Sequence, residues 1–392
     1  SLMSLKLRSK NDWGRLDMTS EWNHFALGEI TELVIDYRGK TPKKLGGDWC
    51  KQGYRALSAK NIKTGRIVQA ETIRYIDESL YRKWMKDEVQ RGDILITSEA
   101  PFGQIFFWDS DEKIVLSQRL FCVRIKPEYD ARFIYYYMTT PEFQSELDGR
   151  ATGTTVIGLR QPELMKCVIR CPEIQEQKVI AAILSSIDAK IIANEKVNDN
   201  LQQQAQAIYS SMFIDNPDPA WSHGHLSDLI TVKYGKDHKK LADGIHPVYG
   251  SGGIMRYVER PLYNKESVLI PRKGTLNNVM YVNQPFWSVD TMFYTEMKLP
   301  NVAKFVYHFV KAKDLASMNA GSAVPSMTTD ILNAMEVVIP SASALEEFES
   351  LVAPMYEAME ANDVQSKALS QMRDTLLPKL MSGEIDVSDI QL

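Results

Sequence analysis

Two stretches of the chain repeat the same alternation of apolar and polar positions. In each stretch apolar residues recur at alternating spacings of four and three, the a and d pattern of a helix that packs along another helix. In the first stretch these positions hold Ile180, Leu184, Ile187, Ile191, Asn194, Asn198, Leu201, Ala205, Ile208 and Met212. In the second, 168 positions later, they hold Phe348, Val352, Met355, Met359, Asn362, Ser366, Leu369, Arg373, Leu376 and Leu380. The pattern predicts two long helices that lie side by side.

An asparagine occupies the same seam position in both copies, Asn194 in the first and Asn362 in the second. A buried asparagine costs stability, but it disfavours registers in which its amide stays unpaired. We therefore expect Asn194 and Asn362 to fix the register of the helix pair. The alternative is two amphipathic helices that pack on separate cores. Pro354 falls in the first turns of the second helix, where its missing amide hydrogen predicts an interruption with a local kink.

The segments ahead of the two helices correspond at both ends. A Trp-x-His-x-x-Leu phrase opens each segment, at Trp22 and again 199 positions later at Trp221. Near the other end, residues 168 positions apart correspond as Gly153, Val156, Leu164 and Pro172 to Gly321, Val324, Leu332 and Pro340. The chain thus predicts an α+β fold with two repeats. Residues 1–172 form the first globular head, 173–214 its helix, 215–340 a linker and the second head, and 341–392 the second helix and a C-terminal tail.

Each head contains mixed α and β structure, with short strands followed by one apolar helix. Apolar runs bounded by polar turns predict strands at 93–97, 113–116 and 119–125 in the first head, and at 267–270, 279–282 and 292–295 in the second. Helices are predicted at 131–139 and 302–310. We expect the aromatic residues of these two helices to belong to the cores: Phe133, Tyr136, Tyr137, Phe305, Tyr307 and Phe309.

Composition indicates a soluble protein of several modules. With 392 residues the chain is long enough for two cores and extended helices. No apolar run approaches the roughly 18 residues of a membrane span. The four cysteines show neither a paired metal-ligand spacing nor a dense disulfide framework, so we expect reduced thiols and a cytoplasmic protein.

Charge is distributed unevenly, although the formal net charge is only −4. Residues 36–70 hold nine basic and two acidic side chains, whereas residues 340–392 hold three basic and ten acidic ones. Basic residues of the second head gather at Lys233, Lys236, Lys239 and Lys240, and at Arg256, Arg260, Arg272 and Lys273. A cationic strip on a globular head is typical of phosphate binding, and the alternative is a solvated lysine-rich loop. Strips at comparable places in both copies favour nucleic-acid binding.

Motifs for catalysis are incomplete. Gly39-Lys40-Thr41 resembles the end of a phosphate-binding loop, but the required first glycine is replaced by Val34. Asn216-Pro217-Asp218-Pro219 departs at its third and fourth positions from the loop with which amino-methyltransferases hold a flipped base. His223 and His225 could share a strand face, but no acidic residue or cysteine follows at metal-ligand spacing. We therefore expect no catalytic residues, no metal and no cofactor.

Several phrases, in this order, resemble the specificity (S) subunit of type I restriction-modification enzymes. They are Thr152-Gly153-Thr154-Thr155 before the first helix, Pro172-Glu-Ile-Gln-Glu-Gln-Lys-Val-Ile180 at its start, and Leu376-Leu-Pro-Lys-Leu-Met-Ser-Gly-Glu-Ile385 at the end of the second. With two divergent heads on matched helices, the resemblance extends from Trp22 to Ile385. The second helix departs from the family's opening, because Pro340-Ser-Ala-Ser-Ala-Leu-Glu-Glu-Phe348 lacks the Glu-Gln pair.

This resemblance implies a non-catalytic subunit that binds double-stranded DNA. Each head would be a target recognition domain that reads one half of a bipartite, asymmetric sequence. The two helices would pair as an antiparallel coiled coil that sets the unread spacer. Two methyltransferase (M) subunits, which carry S-adenosylmethionine, and ATP-driven restriction (R) subunits would assemble with the chain.

Candidate DNA-binding residues come from the cationic strips and the polar loops. In the first head they are Lys40, Lys43, Lys44, Lys60, Asn61, Arg66, Ser98, Arg119 and Thr154. In the second head they are Lys236, His238, Lys239, Tyr249, Ser251, Arg256, Arg272, Lys273, Asn277 and Ser322. Arginine and lysine suit phosphates or guanine, whereas Asn61 and Asn277 could read adenine.

Two other functions are compatible with parts of this pattern. One is a self-contained DNA methyltransferase or nuclease, which the incomplete catalytic motifs disfavour. The other is a coiled-coil scaffold without a nucleic-acid role, which the cationic strips disfavour. Salt dependence separates the scaffold from a DNA-binding protein, because phosphate contacts weaken steeply as salt rises.

Overall fold

The computed structural model describes residues 22–153, 157–318, 326–388 and 390. The chain divides into two compact units, and each is described by itself. The first unit comprises Ser1–Ile192 and Ser366–Leu392, and the second comprises Ala193–Gln365. Both boundaries fall inside the two long helices predicted from the seam pattern.

The first unit contains eleven strands among its described residues. They are β1 (Asn23–Ala26), β2 (Thr31–Asp36), β3 (Tyr54–Leu57), β4 (Ile62–Lys63), β5 (Arg66–Ile67), β6 (Arg74–Ile76), β7 (Ile94–Thr97), β8 (Ile105–Phe107), β9 (Val115–Leu116), β10 (Leu120–Ile125) and β11 (Val168–Cys171). The α-helices that begin here are α1 (Leu27–Ile30), α2 (Glu78–Trp84), α3 (Ala131–Met138), α4 (Pro141–Arg150), α5 (Gln161–Leu164) and the long α6 (Ile174–Ser210), which ends in a π-helical turn at Ser211–Asp215. Short 3₁₀ turns lie at Lys43–Leu45, Ala59–Asn61 and Ala70–Thr72.

The second unit repeats this order with fewer elements. Its strands are β12 (Ser222–His225), β13 (Ile230–Tyr234), β14 (Asp243–Gly250), β15 (Gly253–Val258), β16 (Ser267–Pro271), β17 (Met280–Val282), β18 (Trp287–Ser288), β19 (Met292–Met297) and β20 (Glu336–Ile339). Its α-helices are α7 (Leu226–Leu229), α8 (Ala303–Lys311), α9 (Thr329–Asn333) and the long α10 (Ala342–Met381), which continues into the first unit.

The strands of the two heads are connected in the same order. The first head has a four-stranded sheet β2-β10-β7-β8, a three-stranded sheet β6-β3-β9 and a pair β1-β11. The second head has β13-β19-β16-β17, β15-β14-β18 and β12-β20. Even the parallel pairing of β3 with β9 recurs between β14 and β18. The predicted repeat of two mixed α/β heads is therefore confirmed as a repeat of topology.

Each four-stranded sheet is buried on both faces. Successive side chains of a strand point to opposite faces, so neighbouring residues of one strand belong to different cores. In β7, Ile94 and Ile96 contribute to the core that includes α3 and α6, whereas Leu95 contributes to the core on the opposite face. In β16, Val268 and Leu269 divide between two cores in the same way. The predicted core aromatics are all buried: Phe133, Tyr136, Tyr137, Phe305, Tyr307 and Phe309.

The predicted seam positions lie on the packed faces of the two long helices. All twenty seam positions are buried or half-buried. In the second unit, Asn194 of α6 donates to Gln365 of α10 at 2.9 Å, and Asn198 of α6 donates to the carbonyl of Met359 at 3.2 Å. A later residue of α6 thus contacts an earlier residue of α10, so the helices are antiparallel within this unit. The interruption predicted at Pro354 is not observed, because α10 continues across this residue, and Phe348 and Val352 of the preceding turns are buried. The local kink at Pro354 stays a prediction.

Candidate nucleic-acid interface

The candidate residues of each head gather where the strands of its sheets end. In the first head the amide of Ser98 donates to the carbonyl of Arg119 at 2.9 Å, and the carbonyl of Ser98 accepts from Leu159 at 3.0 Å. In the second head Arg272 donates to Thr291 at 2.9 Å and accepts from Met327 at 2.9 Å. These matched bonds make Ser98 the structural equivalent of Arg272. Both heads thus present the predicted loops at the same edge of the fold.

Five basic candidates of the first head reach solvent there. Lys43, Lys44, Lys60, Arg66 and Arg119 are exposed. Lys44 Nζ donates to the carbonyl of Gly39 at 2.9 Å, and Arg119 lies 3.4 Å from the Glu99 carboxylate. Arg119 adopts a left-handed backbone conformation with φ of 65°. These side chains form the cationic part of the first head.

A cavity of about 170 Å³ opens between the ends of β3, β6 and β9. Its lining includes the predicted Lys60 and Arg119. It also includes Trp49 and Arg74, which sequence reasoning missed. The Arg74 guanidinium carbon lies 4.0 Å from the Trp49 ring centroid. Arg74 reaches the cavity because β6 pairs with β3, a long-range contact that gives no local sequence signal.

Three other predictions for the first head need correction. Lys40 is half-buried, with its ammonium group donating to the carbonyl of Trp84 and lying 3.7 Å from the Tyr37 ring centroid. Burial lowers the pKa of Lys40. Ser98 is buried, and its hydroxyl has no partner among the described residues. Neither side chain is presented to a partner in this structure.

Asn61 is also misassigned as a base-reading residue. It is fully buried, and its Oδ1 accepts from the amide and the hydroxyl of Ser58 at 3.1 and 2.9 Å. Its Nδ2 donates to the carbonyl of Gln69 at 3.2 Å and to the hydroxyl of Thr72 at 3.0 Å. Because both ends of the amide are engaged, Asn61 organises the loop instead of facing outward. Thr154 and Ser322 lie outside the described residues.

The second head presents Lys236, Lys239 and Lys273 as exposed cations. Arg272 is half-buried, lies 5.4 Å from the exposed Tyr234 ring centroid and donates to the carbonyl of Asp290 at 3.2 Å. These residues surround the end of β13 and the loop after β16. They agree with the predicted cationic strip.

Other candidates of the second head hold its loops together. Arg256 donates to Asp243 at 2.7 Å, and the buried Tyr249 hydroxyl accepts from Gln284 at 3.2 Å. Asn277 is exposed, and its amide nitrogen donates to Asp314 at 3.0 Å while its oxygen accepts from Ala316 at 2.9 Å, so the amide helps to hold its loop. Ser251 is half-buried, with its carbonyl accepting from Asn278 at 2.8 Å. His238 is half-buried, and its Nδ1 has no partner among the described residues.

Asparagine side chains cross the helix pair as expected of a register device. Asn194 is 2% exposed, and its Nδ2 donates to Gln365 Oε1 at 2.9 Å and to the carbonyl of Asn362 at 3.4 Å. Asn362 donates in turn to Asn198 Oδ1 at 2.8 Å. The two predicted asparagines are therefore joined through a short ladder, and a shifted register would leave these amides without partners.

Each head is seated on both long helices by an equivalent polar group. In the first unit, Asp188 of α6 accepts from Tyr136 of α3 at 2.6 Å and from Arg373 of α10 at 2.8 Å. In the second unit, His308 of α8 lies 2.8 Å from Gln206 of α6 and 2.9 Å from Tyr356 of α10. Tyr136 and His308 are both the sixth residue of their helices. The heads therefore use one seating geometry with different chemistry.

Nothing in the described part of the chain resembles a metal centre or a membrane segment. No group of three or more histidine, cysteine, aspartate or glutamate side chains has the geometry to hold a metal ion among those residues. None of the helices in this part is long and apolar enough to cross a membrane. The four cysteines are free thiols.

Comparisons with known proteins point in one direction. The family model of the type I restriction modification DNA specificity domain matches residues 19–203 and again residues 220–347. The chain is 24% identical to the type I restriction enzyme MjaIX specificity subunit of Methanocaldococcus jannaschii, over 76% of this chain and 79% of that protein. It is 20% identical to the HindI specificity subunit of Haemophilus influenzae, over 76% of this chain and 88% of that protein.

A solved structure shares the fold. The S subunit of a type I restriction-modification system from M. genitalium superposes with a TM-score of 0.60 at 18% identity, covering 93% of this chain and 97% of that one. At this identity the likeness concerns the architecture of two heads and two long helices.

Proposed function

Because the chain belongs to the family of type I restriction modification DNA specificity domains, we propose that it is the DNA-reading subunit of a type I restriction-modification enzyme. Each head reads one half of a bipartite, asymmetric target in double-stranded DNA. The chain carries out no chemistry itself and directs the subunits that methylate or cleave.

The observation that supports this proposal best is the repetition of one topology with different surface residues. Both heads present cations at the same edge, but Ser98 in the first head is replaced by Arg272 in the second. Cations at matching places provide sequence-independent affinity for phosphates. Different side chains on the same framework let the two heads read different bases, which makes the target asymmetric.

Candidate contacts are the cations that remain exposed. They are Lys43, Lys44, Lys60, Arg66 and Arg119 in the first head, and Lys236, Lys239 and Lys273 in the second, with the half-buried Arg272. The antiparallel helices fix the unread spacer, with Asn194 and Asn362 setting the register. Two methyltransferase subunits dock on this framework, and restriction subunits join them in the cytoplasm. The chain needs no cofactor of its own, because the methyltransferase subunits carry S-adenosylmethionine.

Adenine methylation across a genome tests this function. We would express the chain with its neighbouring methyltransferase subunit and compare the methylated motifs with those made by either protein alone. The expected result is a two-part motif that requires both proteins. If the complex assembles but adds no motif, the scaffold function replaces this one. Methylation by the isolated chain would instead reveal a methyltransferase.

Exchanging one head tests the division of labour. Replacing residues 22–172 with the corresponding head of a relative should change one half of the methylated motif and preserve the other half and the spacer. The reciprocal exchange of residues 220–340 is the matched control and should change the other half. A change in both halves after a single exchange would contradict the modular function.

A further inference from the structure

The first head contains a cationic cavity, and hydrogen bonds of a buried amide fix the loops that form its wall. Asn61 is fully buried at this wall and joins Ser58 to Thr72 through its amide. Thr72 donates onward to the carbonyl of Gln69 at 2.8 Å. These polar groups are thus committed to one another before any ligand arrives. The wall is preorganised, which lowers the entropic cost of binding.

The groups left to meet a ligand are mainly cationic donors. Lys60, Arg74 and Arg119 line the cavity, together with the polar residues Ser117 and Gln118. None of the described residues of the lining is acidic. Glu99 pairs with Arg119 from outside the lining at 3.4 Å. Lys60 and Arg74 have no carboxylate within ion-pair distance in the described chain, so the cavity keeps an excess of positive charge.

The size of the cavity suits more than a single water molecule. Its volume is about 170 Å³. A cavity of about 150 Å³ holds a benzene ring, and a water molecule needs about 10–15 Å³. A tetrahedral oxyanion with the first carbon atoms of an ester therefore fits. The Arg74 guanidinium lies over the Trp49 ring, 4.0 Å from its centroid. A guanidinium carries its N–H groups in a fork that matches phosphate oxygens.

The equivalent loops of the second head meet closely. The amide of Ser117 donates to Leu57, and that of Val289 donates to Tyr249, so Ala59 corresponds to Ser251. Likewise Ala100 corresponds to Gly274. A Cβ atom on Gly274 would lie 2.5 Å from Ser251 Oγ, which shows how closely the two loops meet. Ser251 and Gly274 thus occupy the positions that Ala59 and Ala100 hold at the cavity of the first head.

We propose that this cavity binds one phosphate ester through Lys60, Arg74 and Arg119, and that its occupant is a backbone phosphate of the DNA. The choice of DNA as the source rests on the proposed function. The site itself rests on its charge, its donors and its rigid wall. Because both unpaired cations face one cavity, Lys60 and Arg74 hold the same phosphate.

The salt dependence of DNA binding tests the sharing of one phosphate. Each phosphate contact contributes about 0.9 to the slope of log K against log salt, which is about a threefold loss of affinity from 50 to 200 mM salt. We would measure binding of the full chain with its methyltransferase subunits to a duplex that carries the methylated motif. The Lys60→Gln, Arg74→Gln double variant should lower the slope by about 0.9 in total.

Lys83 provides the matched control. It is an exposed lysine of α2 and lies outside the lining of the cavity. Lys83→Gln should leave the slope unchanged. The single variant Lys60→Gln is measured in case the double variant misfolds. It should fold normally, because the exposed Lys60 side chain has no structural partner in the described residues. Arg74→Lys keeps the positive charge, so its slope should stay closer to that of the wild-type chain than to that of the double variant.

Inorganic phosphate provides an arm that does not depend on DNA. Its ³¹P resonance should broaden on adding the wild-type chain at constant ionic strength, and the double variant should lose this effect. If the double variant loses phosphate binding but keeps the full DNA slope, the phosphate site is upheld. Its ligand is then a free phosphate ester and not a phosphate of the DNA backbone.

Two results would overturn the proposal. A fall of about 1.8 in the slope would mean that Lys60 and Arg74 hold separate phosphates outside a common cavity. Unchanged DNA slope and unchanged ³¹P broadening would mean that the cavity binds no phosphate, while a motif directed by the wild-type complex would still uphold the proposed function. If the wild-type complex binds no duplex, the proposed function fails, and the ³¹P arm alone decides the cavity.

Discussion

Acid should destabilise the second unit through His308. Its imidazole is 0% exposed, lies stacked 5.4 Å from the Tyr209 ring and has both nitrogens engaged. Gln206 offers an amide oxygen to Nδ1, so Nδ1 carries the hydrogen and Nε2 accepts from the Tyr356 hydroxyl. This arrangement holds a neutral ring. Burial accordingly lowers the pKa of His308 from 6.5 to about 4.

The magnitude follows from proton linkage. Above pH 6.5 neither the folded nor the unfolded chain protonates this ring, so no stability is lost. Between pH 6.5 and about 4 the unfolded chain binds a proton that the folded chain excludes, and the free energy of unfolding falls. The loss is about 2 kcal/mol at pH 5 and about 3 kcal/mol at pH 4.

Denaturant unfolding at pH 7.5 and pH 5.0 measures this loss. His308→Gln removes the titrating group and keeps a polar side chain of similar reach. The wild-type chain should lose about 2 kcal/mol more than the variant between the two pH values, because carboxylates that titrate in both proteins cancel in the comparison. Equal losses in the two proteins would refute the assignment of a buried neutral imidazole.

Three further substitutions test buried polar contacts through the free energy of unfolding. Arg124→Met should cost about 3 kcal/mol or more, because it leaves the Asp93 carboxylate, 1% exposed, without its partner 2.9 Å away; the matched control Arg82→Met should cost much less, because the Arg82 side chain is 76% exposed. Tyr136→Phe should cost about 1 kcal/mol through the lost bond to Asp188, whereas Tyr135→Phe, in the same buried helix, should cost less. Asn194→Ala should cost about 1 kcal/mol by removing the hydrogen bonds of its buried amide to Gln365 and Asn362, and a smaller cost than that of exposed Asn200→Ala would contradict the register role.

Periodicity predicted the parts of the fold that depend on nearby residues. The helix pair followed from the seam of α6 and α10, because a heptad pattern reports burial directly. The strands at Ile94–Thr97 and Met292–Met297 and the buried aromatics of α3 and α8 also agree with the local pattern. Pro354 does not end α10, because Val352 and Met355 on either side of it pack in the core of the second unit.

Side-chain roles were predicted less well, because they depend on contacts distant in sequence. Asn61 looked like a base reader, but its partners come from the turn that follows β5. Lys40 looked free, but it reaches the carbonyl of Trp84. Arg74 was missed, although it holds the place of the predicted Arg256: Arg74 pairs with Ala56 as Arg256 pairs with Val248. That equivalence becomes visible only when the strands are paired.

The division of the chain into units has a consequence for its synthesis. The second unit is one uninterrupted segment, but the core of the first unit includes Leu380, Met381 and Val387, which follow that segment in the sequence. A ribosome therefore makes the whole second unit before it makes the last part of the first. Until then the core that contains Ile180 and Leu184 lacks its three C-terminal members and exposes apolar surface. The head that is translated first is completed last, and its exposed core residues are a natural target for chaperones during translation.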